Sequence, residues 1–357
     1  MSQRVKTGIV MLNLGGPGTL DEVEPFLLEL FADREIIQLP AQRWLGPFIA
    51  RRRAPAVREL YAKIGGGSPI LHWTRLQGEG MVERLDRLSP ETAPHGFYVA
   101  FRYASPKSED ALRAMEADGV ERAVAFTQYP QFSCSTTGSS LNELWRAAGR
   151  LRLRDRFRWS IVDRWPVHPG FVEAMTDTVR RGLERFPAEE RDQVLILFSA
   201  HSLPLRVINR GDSYPQEIGA SVQAVMTRLG FSHPWLLSYQ SEVGPVPWQG
   251  PSTEKVIREL GTKGRTHLLV VPIAFTSDHI ETLSELDLEY GELAHKVGIT
   301  SYVRAPALND DPRFLDALAD VVHEHLRSGD AHSVQYPVRC PGCVNPQCRN
   351  ILNPVGI

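Results

Sequence analysis

A histidine directly follows an apolar run in Leu197-Phe-Ser-Ala-His201-Ser-Leu-Pro204. An unperturbed imidazole titrates near pH ~6.5, so a histidine held at the edge of a cleft can accept or return a proton at neutral pH. Pro204 is expected to keep a helix from starting at once, leaving His201 on a stiff strand end. Isolated histidines are usually packing residues. The strand-end position and the polar Asn209, Arg210, Asp212, Gln216 and Glu217 nearby favour chemistry here.

A second stretch, Asp278-His279-Ile-Glu281-Thr-Leu-Ser-Glu285-Leu-Asp-Leu-Glu289, also follows an apolar run. On a helix, Glu281, Glu285 and Glu289 recur every four residues and lie along one face. Like charges at that spacing repel, so the stripe costs stability unless protons or cations screen it. A solvated face would explain an arbitrary stripe. Because this one begins beside Asp278 and His279 at a strand exit, a metal or proton conduit explains it better.

Smaller groups accompany these two. Phe101-Arg102-Tyr103 brings a cation and a phenol to a strand end, and Asp163-Arg-Trp-Pro-Val-His168-Pro holds another histidine between prolines. Gly15-Gly16-Pro17-Gly18 has neither the Lys-Ser/Thr of a P-loop nor dinucleotide-fingerprint spacing, although a helix N-terminus there could receive a carboxylate. Cys340, Cys343 and Cys348 crowd the C-terminus, and Cys134 is the only other cysteine. Spacing alone leaves a zinc site, an iron–sulfur cluster and free thiols open. So few cysteines do not make a disulfide scaffold and point to a reducing compartment.

The elements that must position these groups alternate between strand and helix. Strands are expected at Gly8–Leu14, Gly96–Phe101, Ala123–Thr127, Trp159–Asp163, Val194–Phe198, Trp235–Gln240 and Leu268–Pro272, with helical periodicity between them. Thr19 and Glu22 have capping-box spacing, although Pro25 moves the first helix start towards Glu24. Short, fully apolar strands separated by helices imply an α/β protein whose parallel sheets are covered on both faces. The length of 357 residues suits two doubly wound halves with a cleft between them. The expected division is 1–158, 159–305 and a C-terminal helix and cysteine-rich tail, 306–357.

Bulk properties exclude several classes. Hydrophobic content of 42% and charged content of 23% indicate a globular protein, and a net charge of −2 gives no electrostatic case for binding nucleic acid. No apolar run approaches the roughly 18–20 residues of a membrane span. The first strand begins so early that no leader is expected before it. Trp44-Leu45-Gly-Pro-Phe48-Ile49 joined to Arg43 and Arg51–Arg53 reads equally well as an interfacial membrane segment or as a packed surface helix.

Six motifs, in order along essentially the whole chain, resemble those of the ferrochelatases. They are Leu12-Asn-Leu-Gly-Gly-Pro17, Gly65-Gly-Gly-Ser-Pro-Ile70, Gln128-Tyr-Pro-Gln-Phe-Ser-Cys-Ser-Thr-Thr-Gly138, Phe198-Ser-Ala-His-Ser-Leu-Pro204, Gly244-Pro-Val-Pro-Trp248 and Thr276-Ser-Asp-His-Ile-Glu-Thr-Leu-Ser-Glu-Leu-Asp287. The resemblance implies two Rossmann-like domains with a porphyrin held between them. It matches His201 and Glu281 to the catalytic His and Glu, with His279 and Asp278 beside them, and Arg102 and Tyr103 to the opposite side of the porphyrin. His168 and Asp320 match a further active-site pair. Arg53, Tyr61 and Ser68 match contacts to the porphyrin and its propionates, and Leu14 and Trp248 match pocket walls; Leu14 stands where vertebrate members usually carry methionine. Cys134, Cys340, Cys343 and Cys348 match the ligands of a 2Fe–2S cluster.

The implied reaction is insertion of ferrous iron into protoporphyrin IX, with iron as substrate and no organic cofactor. Coproporphyrin III as substrate, or a non-catalytic porphyrin- or haem-binding protein, are the alternatives. A homodimer on a membrane surface is implied, cytoplasmic at the inner membrane in a bacterium or on the matrix side in a processed mitochondrial form.

Overall fold

Eight short strands, nearly all buried, form two four-stranded sheets in a computed structural model that describes residues 5–352. The first sheet holds β1 (Thr7–Asn13), β2 (His95–Phe101), β3 (Arg122–Thr127) and β4 (Arg158–Val162), in the order β2-β1-β3-β4. The second holds β5 (Leu195–His201), β6 (Trp235–Gln240), β7 (His267–Pro272) and β8 (Ser301–Arg304), in the order β6-β5-β7-β8. All pairings are parallel. The two sheets therefore repeat one topology.

Helices supply the crossovers that parallel strands require. They are α1 (Val23–Ala32), α2 (Gln42–Lys63), α3 (Ile70–Leu88), α4 (Ser108–Ala117), α5 (Ser139–Arg150), α6 (Pro169–Glu184), α7 (Leu205–Ile208), α8 (Tyr214–Arg228), α9 (Thr253–Thr262), α10 (Tyr290–Lys296) and α11 (Pro312–Ser328). Two further segments, Cys134–Gly138 and Glu281–Glu289, are π-helical. They follow β3 and β7, the equivalent third strands of the two sheets.

Seven strands lie where the apolar runs place them, within a few residues at each end. The eighth, Ser301-Tyr-Val-Arg304, escapes pattern reading because it is a short edge strand with every residue only half-buried. The division of the chain is corrected in two places. Arg158–Val162 pairs with β3 and completes the first sheet, so that unit runs to Trp165 rather than to 158. The segment after 305 is not a separate region: Leu315–Arg339 and the tail from Cys343 pack with the first unit, and Pro166–Phe314 with Cys340–Gly342 form the second. Thr19 makes no side-chain cap, and the first helix starts at Val23 after a single 3-10 turn.

The tail joins the first core through large side chains. Tyr336 and Ile351 are fully buried among Leu12, Leu112, Leu144 and Trp159, and the Tyr336 hydroxyl donates to the Ile351 carbonyl at 3.0 Å. Burial of each such side chain stabilises by about 1.5–3 kcal/mol. Truncation by Tyr336→Ala is therefore expected to cost about 3–5 kcal/mol, lowering the midpoint of urea denaturation of the first unit. A midpoint unchanged from wild type would show that the tail is not part of this core.

Candidate active site

The C-terminal ends of β5 and β6 carry His201 and Gln240 side by side in register. The His201 Nδ1 lies 2.6 Å from the Ser202 carbonyl, a contact in which only the ring nitrogen can donate. In the neutral ring that contact puts the proton on Nδ1 and leaves Nε2 with a lone pair that can accept another. The loop after it is pinned by Ser202 Oγ donating to the Gln249 carbonyl (2.8 Å), Leu205 N–H to Pro247 O (2.9 Å) and Gln249 N–H to Leu203 O (2.9 Å). These bonds also hold Trp248, whose indole N–H donates to Val243 O at 3.1 Å. Pro204 does not delay a helix as expected. It caps the one-turn helix α7, because an N-cap needs no N–H and its extended backbone suits the position.

Gln240 was not singled out by the sequence, yet it organises this end of the sheet. Fully buried, its Oε1 accepts from Ser199 Oγ at 2.7 Å, and its Nε2 donates to the Glu281 carbonyl (3.0 Å) and to Glu285 Oε2 (2.9 Å). Glu285 takes three more bonds, from Ser241 N–H (2.7 Å), Ser241 Oγ (2.5 Å) and Tyr290 OH (2.9 Å). Burial and the neighbouring Glu285 push the Tyr290 phenol well above its usual range, so it remains a donor. Ser241 has a left-handed backbone, φ 67°, a conformation costing about 1–2 kcal/mol that the two Glu285 contacts hold in place.

The carboxylate stripe is therefore held chiefly by hydrogen-bond donors. It also lies on a π-helical rather than an α-helical segment, a widening often found at functional sites. His279 Nδ1 sits 2.8 Å from the Ser277 carbonyl, and its Nε2 is 3.1 Å from Glu281 Oε2. Glu289 Oε1 accepts from Ser284 Oγ at 3.2 Å. Asp278 is occupied by Arg304 (3.1 Å), Asn309 Nδ2 (2.8 Å) and Thr282 Oγ1 (3.0 Å), which fixes the start of the segment. His168 caps α6 in the same unit.

The remaining candidates lie in the first unit. Arg102 and Tyr103 leave β2 with their N–H groups donating to the carbonyls of Asn13 (2.9 Å) and Leu14 (3.0 Å), so the end of β1 sets both. Asp33, also missed by the sequence, pairs with Arg102 and accepts from Tyr103 OH at 2.5 Å. Burial pushes the Tyr103 phenol far above its usual range. Arg102 Nε is buried without a partner among the described residues, a donor left for an incoming acceptor. Ser68 N–H donates to Pro17 O at 2.7 Å, and a Cβ on Gly67 would meet the Gly18 carbonyl at 2.1 Å, so the two glycine-rich loops need glycine to pack this closely. Tyr61 is buried, Arg53 stands over the Phe31 ring (5.8 Å), and Asp320 is half-buried on α11.

None of the four cysteines is in a disulfide. Among the described residues, no group of three or more His, Cys, Asp or Glu side chains is placed to hold a metal ion. The donor chemistry suits an iron–sulfur cluster, and only that chemistry speaks for it here. Arg349 of the tail donates its N–H to Asn142 Oδ1 on α5 at 3.2 Å, while Gly342 N–H donates to Arg210 O (2.9 Å) in the second unit.

A family model described as Ferrochelatase matches residues 6–326. The mitochondrial ferrochelatase of Bos taurus is 55% identical over 349 residues, 98% of this chain and 84% of its own. That of Homo sapiens is 55% identical over 348 residues, covering 97% and 82%, and that of Drosophila melanogaster 51% identical, covering 97% and 91%. Among solved structures, SirB from Bacillus subtilis with Fe3+ superposes with a TM-score of 0.52 over 91% of this chain and 98% of that one. At 12% identity that is a likeness of fold alone.

The geometry at His201 makes a spectroscopic prediction. In ¹H–¹⁵N correlation spectra at pH about 8, above the ordinary imidazole range, His201 should show the Nδ1–H neutral tautomer. An Nε2–H signal would remove the free acceptor on which its chemistry depends.

Proposed function

The chain belongs to the ferrochelatase family, and on that premise we propose that it inserts ferrous iron into protoporphyrin IX to give protohaem. Two protons are released, and the step is the last of haem synthesis. The observation that carries the reading is the His201 imidazole, with Nδ1 spent on Ser202 O and Nε2 left as acceptor at a rigid strand end. Metallation must remove two pyrrole protons and strip water from iron, and a base held at a stated atom lowers the barrier to the first of these. Glu281 and His279 stand 3.1 Å apart, close enough for a proton to pass between them. Glu285 and Glu289 continue the line of carboxylates away from it as a path for protons or iron.

The other assignments follow the same reading. Arg102, with its unspent Nε, and Tyr103 meet the porphyrin, as do Arg53, Tyr61, Ser68, Leu14 and Trp248; Asp278 holds the π-helical segment in place, and His168 and Asp320 serve as an auxiliary pair. The enzyme is a metal-inserting lyase that acts as a homodimer on a membrane surface. Supporting the membrane position, α2 exposes Trp44, Leu45 and Phe48 beside Arg43, Arg51 and Arg52, an apolar face with a basic border. No described helix is long and apolar enough to cross a membrane. That face favours protoporphyrin over the more polar coproporphyrin III. The membrane is the inner one, approached from the cytoplasm in a bacterium or from the matrix in a mitochondrion. Four cysteines outside any disulfide support a 2Fe–2S cluster on Cys134, Cys340, Cys343 and Cys348, which would add redox chemistry but takes no part in the steps above.

Anaerobic assays with ferrous iron and either porphyrin test the reaction. His201→Ala should lower turnover with protoporphyrin IX by about 10²-fold or more, with wild type slower on coproporphyrin III. Near-normal turnover in the variant would reject the role of His201. Purified protein should carry about two irons and two acid-labile sulfides per chain, as a 2Fe–2S cluster requires, with visible absorbance that Cys343→Ser abolishes. Colourless, zinc-loaded protein would reject the cluster.

A further inference from the structure

Arg102 sits among three carboxylates of the first unit. It pairs with Asp33, and lies 3.4 Å from Glu143 Oε2 and 3.7 Å from Glu35 Oε2. The last distance is too long for a hydrogen bond, and the reason is visible on the other side of Glu35. Its Oε1 accepts from Asn142 Nδ2 (3.1 Å), Arg146 NH1 (3.0 Å) and, from the C-terminal tail, Asn345 Nδ2 (2.8 Å). Its Oε2 accepts from Arg146 NH2 at 3.2 Å. Three donors crowd one oxygen, and the carboxylate is drawn towards α5 and the tail. The Glu35 N–H meanwhile donates to Asp33 Oδ1 at 2.8 Å, so the carboxylate that holds Arg102 and the one that holds the tail share a single tight turn. All of these groups are largely buried, where ion pairs are poorly screened and small displacements matter.

We propose that Asn345, acting through Glu35, is a positioning residue for Arg102: the docked tail holds Glu35 on α5 and so keeps Arg102 from being captured by it. Without the Asn345 bond, Glu35 is released to close the 3.7 Å gap and form a full ion pair with Arg102. The guanidinium is then turned away from its orientation beside Asp33 and Tyr103, and the donor it keeps for substrate is misdirected. The docking of the cysteine-bearing tail thus reaches the porphyrin-handling residues through two side chains, with no ligand bound to the cysteines required for the connection. The inference rests on the assignment of Arg102 to porphyrin handling given above.

A double-mutant cycle on the full-length enzyme tests it, with kcat/KM for iron insertion as the readout. Asn345→Ala should lower kcat/KM about fivefold, within the range of coupling seen for residues that share one network. In an Arg102→Leu background, itself impaired, the same substitution should have no further effect. Glu35→Gln combined with Asn345→Ala should restore part of the loss, because the neutral amide no longer captures the guanidinium. Gln347→Ala removes a tail contact to Arg146 at 3.4 Å without touching Glu35 and should retain wild-type kcat/KM. Additive effects of Asn345→Ala and Arg102→Leu, or equal losses in Asn345→Ala and Gln347→Ala, overturn the proposal. A fully active Arg102→Leu overturns the assignment of Arg102 itself and the latch with it, an outcome distinct from additivity.

Discussion

A parallel strand covered on both faces can carry polar side chains cheaply only where it ends, and this constraint places the chemistry of the protein. Along β1, β5 and β7 nearly every residue is buried and most are aliphatic, because an unpaired polar atom there would cost about 1–3 kcal/mol. The polar residues gather at the C-terminal edges: Asn13 at the end of β1, Arg102 and Tyr103 after β2, His201 at the end of β5 and Gln240 at the end of β6. Each is fixed by the strand before it, so its position is set by the sheet and not by a mobile loop.

The same constraint explains the likeness of the two units. Both sheets have one strand order, and both follow their third strand with a π-helical segment, opened by Cys134 in one and by Glu281 in the other. What differs is the chemistry placed on that frame. In the second unit the segment carries carboxylates and is braced by the Gln240 amide. In the first it supplies a thiol and leads into α5, whose Asn142, Glu143 and Arg146 engage Glu35, Arg102 and the tail. One scaffold thus presents an imidazole–carboxylate set and a cation–phenol set.

Charge compensation follows a common pattern in both. Glu285 is satisfied by an amide, a backbone N–H, a hydroxyl and a phenol, whereas Asp278 and Asp287 share Arg304. Glu143 is held below its usual carboxylate range: burial alone would raise it, and Arg150, Arg102 and Arg146 outweigh that. Within the stripe, Glu285 is held by uncharged donors from neighbouring elements, while the flanking Asp278 and Asp287 are held by the Arg304 guanidinium.

The strand pattern and the α/β class were legible in the sequence, because buried strands write themselves as apolar runs, and the ends of those runs marked His201 and Arg102 as strand-end residues. The edge strand β8 left no such mark, since a half-buried strand of four residues needs no apolar run. Gln240, Asp33 and Glu35 were also invisible, for an amide at a strand end or a carboxylate in a loop looks the same whether it is solvated or saturated with buried partners. Which sheet Arg158–Val162 joins and which unit the tail packs on depend on partners distant in sequence, and which nitrogen of His201 carries the proton depends on how the backbone turns the Ser202 carbonyl towards the ring. The order of apolar and polar residues determines what each segment can become; only the pairing of remote hydrogen-bond donors and acceptors decides which of those groups is left free to react.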